Sequence, residues 1–156
     1  MPEPQDEARA EPAEAMRARV RASFGRQAMM TTLGAELVSV DRGRVEIAIS
    51  HDARFTQQHG FMHAGAITTL LDSACGYSAF SLMDEDVAVL TVEFKTTLIA
   101  PAAGQMFRAV GEVVKSGRNL TFSEGRAFAE DGGGSRLIAT MSATLMAVAG
   151  RDDIQG

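Results

Sequence analysis

Residues 60–83 read GFMHAGAITTLLDSACGYSAFSLM and carry one full charge, Asp72. The spacing suits a helix in which Leu70, Leu71, Ala74, Tyr77 and Leu82 supply apolar bulk. Three, four and seven residues either side of Asp72 lie Gly65, Thr68, Thr69, Cys75, Gly76 and Ala79. On a helix those positions share one face. A solvated face would carry Lys, Glu and Arg; this one is small and uncharged apart from the carboxylate. A lone acid among small residues points to a buried or cleft-facing group, where the surroundings tune it for chemistry.

The stretch is long enough to span a bilayer, and its content argues against that. Asp72 sits at its middle, where a carboxylate costs about 2.5–3.5 kcal/mol even on lenient insertion scales. His63, Thr68, Thr69, Ser73, Ser78 and Ser81 weaken the case further. A helix apolar nearly all round is more simply the centre of a soluble fold.

Outward from this helix, the 156 residues suit one domain, expected over 13–150 behind a disordered tail at 1–12. The net charge of −5 argues against nucleic acid as a partner, because phosphate binding needs a basic surface. The polar, acidic start MPEPQDEARAEPAE has no apolar signal region, and the single cysteine excludes an intrachain disulfide. A reducing, cytoplasmic setting follows as the expectation.

Met16, Val20 and Phe24 recur every four residues and predict a helix over 13–26, with the arginines around them read as a solvated face. Residues 27–33 read as a Met-rich connection. Strands are expected at 35–40 and 45–50 across the turn DRG, at 87–99, 106–115, 120–130 and 137–148, with a frayed tail after Gly150. In the 87–99 strand, Leu90, Val92, Phe94 and Leu98 fall on one side, and Thr91, Glu93, Lys95 and Thr97 on the other. Short connections imply an antiparallel sheet. One long apolar helix serving one such sheet must be wrapped by it, which is the α+β hotdog arrangement.

At the helix start, backbone N–H groups of His63, Ala64 and Gly65 lack intrahelical partners and lie at the positive end of the dipole, suited to a carbonyl or oxyanion. Asp72 is about 12 Å further along the axis. It cannot easily serve that site within one chain. Two helices packed antiparallel across a dyad would bring Asp72 of one copy to the helix start of the other.

The run QQHGFMHAGAITTLLDSACGYSA resembles the signature of the hotdog-fold acyl-CoA thioesterases, particularly the phenylacetate-degradation (PaaI-like) branch and its 4-hydroxybenzoyl-CoA relatives. That branch shows an amide residue, then H-G-G, then nine residues from His to a helical Asp; here the middle element is H-A-G. The resemblance extends over roughly residues 15–148. It implies hydrolysis of an aryl- or medium-chain acyl-CoA, with Asp72 as nucleophile or as base toward water. It implies that Gln57 orients water or the carbonyl, that His63 stands at the helix start, that the Ala64 N–H polarises the thioester, and that the Thr91 hydroxyl lies near the carboxylate. Gly65 and Phe61 are expected at the substrate, with Lys115 and Arg118 toward the coenzyme A phosphates. No cofactor is implied beyond the coenzyme A of the substrate, and the assembly implied is a homodimer, extending to a dimer of dimers.

Other chemistries fit poorly. His59 and His63 with Asp72 lack the spacing of a zinc site, so no metal is expected. Cys75 has no evident activating base. Rival readings are a non-catalytic acyl-CoA-binding hotdog module, and a hotdog hydratase or dehydratase, whose helix start usually carries Pro-Gly.

Overall fold

The computed structural model describes residues 11–156, so most of the expected 1–12 tail lies outside the described residues. Helix α1 (Ala13–Arg26) begins after Pro12 and buries Met16 and Val20. Its arginines do more than face water. Arg17 bonds the Val40 carbonyl and pairs with Glu14 and Asp41. Arg19 donates to the carbonyls of Phe80 and Met83 and lies 4.4 Å over the Phe80 ring.

The Met-rich segment expected as a connection is a short helix, α2 (Ala28–Leu33). Gly34 closes it with φ +65°, and its N–H bonds the Met30 and Thr31 carbonyls. Such a left-handed cap suits Gly. Met30 and Leu33 turn inward and Met29 stays exposed.

Strands β1 (Glu36–Asp41), β2 (Arg44–Ser50), β3 (Val87–Leu98), β4 (Met106–Ser116), β5 (Leu120–Asp131) and β6 (Gly134–Ala149) form one antiparallel sheet in the order β1-β2-β4-β5-β6-β3. Helix α3 (Ala64–Phe80) precedes β3 and packs across one face of the sheet, against β2, β3, β4, β5 and β6, giving the hotdog arrangement. Ile67, Leu70, Leu71, Ala74 and Phe80 have essentially no exposure and form the centre of the core.

Two glycines let the helix come this close. A Cβ on Gly111 of β4 would stand 2.3 Å from the Ala74 carbonyl carbon and oxygen, and one on Gly125 of β5 would stand 2.9 Å from Cys75 Sγ. Cys75 and Ala79, which spacing groups with Asp72, are buried, Cys75 against Gly125 of the sheet. The strip left open is Gly65, Thr68, Thr69, Asp72 and Gly76.

The helix ends at Phe80, earlier than the acidic DED at 84–86. Arg19 and Ser81 account for the stop. Arg19 satisfies the last carbonyls, while Ser81 donates to the Ser78 carbonyl and accepts from the Gly43 N–H.

Strand β3 corrects the expected alternation. Its pairing with β6 shifts register between Thr91 and Glu93. Leu90 pairs with exposed Met146 on the outer face, whereas Thr91 pairs with buried Leu145 and Phe94 with buried Ala143 on the helix side. The extra residue, Val92, reverses the phase, as a β-bulge does. Leu90 thus faces away from Phe94 and Leu98, and Thr91 joins them beneath α3. All of Leu90, Val92, Phe94 and Leu98 remain exposed, because β3 is the sheet's edge.

Candidate active site

The helix start is held from both sides. The Met62 N–H bonds the Ala102 carbonyl and the His63 N–H bonds the Phe55 carbonyl, 3.0 and 2.8 Å. Just before them, Gln57 and Phe61 close a tight loop through the Gln57 N–H and the Phe61 carbonyl, 2.8 Å, with Gly60 at φ +86°. The Gln57 side-chain oxygen accepts from the His59 N–H. Among the described residues no hydrogen bond takes its amide nitrogen. His59 is exposed, and among the described residues no three His, Cys, Asp or Glu gather as metal ligands.

His63 is the N-cap of α3, with Nδ1 accepting the Gly65 N–H at 2.8 Å. An accepting Nδ1 carries no hydrogen, so the neutral ring holds its hydrogen on Nε2. The His63 carbonyl takes the N–H groups of Ala66 and Ile67. Among the described residues no bond takes the Ala64 N–H. The Gly65 N–H, expected at the substrate, is already used by the cap. Ala64 is the donor of the first turn that stays open.

Gln57, Phe61, Ala64, Ile67 and Leu98 line an apolar cavity of about 460 Å³. Ala100, Pro101 and Ala102 close its far side. Phe61, expected at the substrate, is here.

Asp72 lies in a different cavity, of about 280 Å³. Its carboxylate is half-buried, and Oδ1 accepts the Thr91 hydroxyl at 2.8 Å. The walls are Ser73, Gly76 and Tyr77 of α3 and Val89 of β3, with Ser23, Arg26 and Gln27 from the α1–α2 corner. Sequence reasoning missed that corner. Ser73 donates to the Gln27 side-chain oxygen at 3.1 Å, and the Ser23 and Tyr77 hydroxyls are 3.3 Å apart. The C-terminal residues, expected to fray, also reach this cavity: Gln155 and Gly156 line it, and Arg26 bonds the Gly156 carbonyl.

The remaining candidates stand apart. Lys115 and Arg118 are exposed around the β4–β5 turn, and no hydrogen bond among the described residues joins either to the other site residues. Cys75 is buried, and burial pushes its thiol up to about 12, with Asp72 and Glu124 adding to the shift. It is not a nucleophile at neutral pH.

The described elements thus hold a carboxylate with a hydroxyl partner in one cavity, and an amide with an open helix-start N–H in another. Residues 59–135 match the Thioesterase superfamily. A thioesterase family protein from Silicibacter pomeroyi is 54% identical, over 86% of this chain and 99% of that one, with a TM-score of 0.85. This chain belongs to the thioesterase superfamily. Thioester hydrolysis is its reaction class. It is also 23% identical over 91 residues to a 1,4-dihydroxy-2-naphthoyl-CoA hydrolase of Listeria monocytogenes, spanning 58% of this chain and 74% of that protein. The PaaI protein of the E. coli phenylacetic acid degradation operon shares the hotdog fold at a TM-score of 0.80, with 18% identity over 90% of this chain and 98% of that one. Among the described residues no helix is long and apolar enough to cross a membrane.

Proposed function

We propose that this thioesterase hydrolyses an aryl- or medium-chain acyl-CoA at a site shared between two copies of the chain. The separation of Asp72 from Gln57 and Ala64 into two cavities carries this reading. Eight residues part Asp72 from Ala64, about 12 Å along the helix. A carboxylate acting on a carbonyl held by the Ala64 N–H must be closer. An antiparallel pairing of two α3 helices on their open strips removes the gap, because Asp72 of each copy then approaches the helix start of the other.

The edge strand favours such a pairing. β3 runs twelve residues with an unpaired edge and keeps Phe94 and Leu98 exposed, 47% and 57%, on the helix side. An uncovered apolar edge invites a second strand. A homodimer built there forms the complete site, and a dimer of dimers extends it. The single cysteine, free and buried, suits a reducing compartment such as the cytoplasm.

In this site the thioester carbonyl accepts from the Ala64 N–H, which stabilises the oxyanion of the tetrahedral state. Gln57 orients the carbonyl or the water with its amide nitrogen. Asp72, oriented by Thr91, takes the proton of attacking water or attacks the carbonyl itself. When Asp72 acts as base, the carbon–sulfur bond breaks, the acyl carbon keeps the water-derived oxygen, and coenzyme A leaves with the proton as its thiol. When it acts as nucleophile, coenzyme A leaves as the thiolate, an acyl–Asp72 anhydride forms, and water then cleaves the anhydride to the free acid and the Asp72 carboxylate, its proton going to the thiolate. No metal or redox cofactor enters the scheme.

Mixing inactive Asp72→Ala and Gln57→Ala chains tests the shared site. Redistributed dimers hold one intact site out of two, so thiol release from an acyl-CoA returns on mixing. If both variants are inactive, folded and dimeric yet regain nothing after exchange, the site lies within one chain. Tight binding of acyl-CoA without turnover by the unaltered protein would instead favour a binding module.

A further inference from the structure

The unpaired edge of β3 carries a pattern centred on Phe94. Levels along the strand are set by its partners on β6, where Phe94 lies opposite Ala143. Glu93 and Lys95 stand one β6 residue to either side of that level, opposite Thr144 and Ser142. Thr91 and Thr96 stand two to either side, opposite Leu145 and Met141, and Val89 and Leu98 stand four, opposite Ala147 and Ala139. Some of these groups lack what they need within the chain. Glu93 and Lys95 are exposed, and among the described residues neither belongs to an ion pair. The Thr96 hydroxyl oxygen is buried and, among the described residues, has no hydrogen-bond partner.

The geometry points to a second copy of this chain joined antiparallel along β3 with the dyad at Phe94, so that Thr96 of the partner subunit meets Thr91 and completes the support of Asp72. The inference rests on the shared-site reading above and fixes its register. Val89 and Thr91 line the Asp72 cavity and Leu98 lines the Ala64 cavity, so a dyad that brings the two cavities together falls between Thr91 and Leu98. Pairing must also keep inward residues against inward ones and outward against outward. A dyad at Glu93 or at Lys95 sets like charges face to face, which is destabilising, and one at Thr96 or Thr97 leaves both charges unmatched. At Phe94, Glu93 faces the partner's Lys95 and Lys95 faces the partner's Glu93, two favourable pairs. Val89 then lies opposite the partner's Leu98, and the Asp72 cavity of one copy abuts the Ala64 cavity of the other. Thr91 gives its one proton to Asp72 Oδ1, at 2.8 Å, and its oxygen still accepts. Thr96 of the partner subunit donates to that oxygen. Thr96 is thus a positioning residue, holding the hydroxyl that holds the carboxylate.

Cross-linking in a Cys75→Ala background tests the register. Chains carrying Glu93→Cys are mixed with chains carrying Lys95→Cys, and each is also oxidised alone with copper-phenanthroline. A disulfide-linked dimer is expected from the mixture and not from either chain alone. A cross-link from Lys95→Cys alone, or none from a mixture that sediments as dimers, overturns the proposal. Exchange kinetics test Thr96. When Asp72→Ala and Gln57→Ala chains are mixed, the working site draws Asp72 and Thr91 from the Gln57→Ala chain and Thr96 from the Asp72→Ala chain. Thr96→Val on the Asp72→Ala chain is expected to lower the recovered kcat roughly fivefold with KM kept, and Thr96→Ser to restore it. On the Gln57→Ala chain the same substitution falls in the dead site and spares the recovered rate. Equal losses from both chains, or none from either, overturn the role of Thr96. An unaltered protein that sediments as a monomer, or mixtures that regain no activity, overturn the shared site itself, so the two failures are distinct.

Discussion

The Thr91 hydroxyl donates to Asp72 Oδ1 at 2.8 Å, joining the edge strand to the central helix. The contact exists because the register shift beside Thr91 turns it inward, level with Leu145. Hydrogen bonds to charged groups contribute about 1.5–3 kcal/mol. Thr91→Val is expected to lower kcat roughly tenfold or more, at about 1.4 kcal/mol per factor of ten. Thr91→Ser keeps the hydroxyl and should retain most of the rate. Steady-state kinetics on both variants, with kcat and KM resolved, check this. A Thr91→Val enzyme as fast as the parent would reduce Thr91 to an ordinary strand residue.

Phe94 and Leu98 offer a second test, of assembly. Both belong to the helix-facing row of β3 and are exposed in the single chain. Phe94→Glu places a charge where a second copy is proposed to pack, and desolvating it is costly. Sedimentation should show a smaller species, and thiol release should fall with it. A variant that keeps the parent's mass and rate would move the interface elsewhere.

The hotdog arrangement was legible because one uncharged helix among alternating strands has few ways to bury itself. The α1 boundaries were equally legible, from Met16, Val20 and Phe24. Asp72 and the helix start could be singled out because a lone acid and a His-Ala-Gly entry stand apart from their surroundings. The Val92 bulge could not be read. Alternation looks unbroken in LTVEFKT, and only pairing with β6 reveals that Leu90 and Phe94 face opposite ways. The α1–α2 corner was hidden for a similar reason. Ser23, Arg26 and Gln27 resemble solvated helix residues until tertiary packing sets them against Asp72. Spacing alone groups Cys75 with Asp72, and only the approach of Gly125, distant in sequence, shows that Cys75 turns to the sheet.

His63 ends the helix's need for a cap by accepting the Gly65 N–H at 2.8 Å. His63→Ala removes that acceptor and is expected to cost about 1 kcal/mol of stability. His63→Asn, a good capping residue, should recover most of it. Urea denaturation of the three proteins separates this role from any part in catalysis. If the Asn variant is stable yet slow, the imidazole does more than cap.

Gly111→Ala tests the closest approach of helix and sheet. The new Cβ would lie 2.3 Å from the backbone carbonyl of Ala74, and a backbone carbonyl cannot rotate away as a side chain can. Overpacking of this kind typically costs 1–3 kcal/mol, roughly, and displacing α3 would also shift Asp72. Both the denaturation midpoint and kcat should drop. Gly132→Ala, in the β5–β6 turn with nothing within 4 Å of its Cβ position, is the matching control. It should change the midpoint by less than about 0.5 kcal/mol equivalent.

Cys75 gives the chain a defined weakness at alkaline pH. Burial lifts its thiol from 9.0 to about 12 in the folded protein. Below 9 both folded and unfolded chains hold the proton, and the group contributes nothing to pH dependence. Above 9 the unfolded chain releases it first, so stability falls as pH rises toward 12. The slope in that window is at most about 1.4 kcal/mol per pH unit. Tyr77, also raised by burial, adds to the loss at the upper end. Cys75→Ala removes the thiol and should flatten the part of the slope that begins near 9, leaving the tyrosine's contribution. Urea melts of parent and variant between pH 8 and pH 11 measure the difference. Parallel curves would mean that the thiol ionises no differently in the folded chain than in the unfolded one.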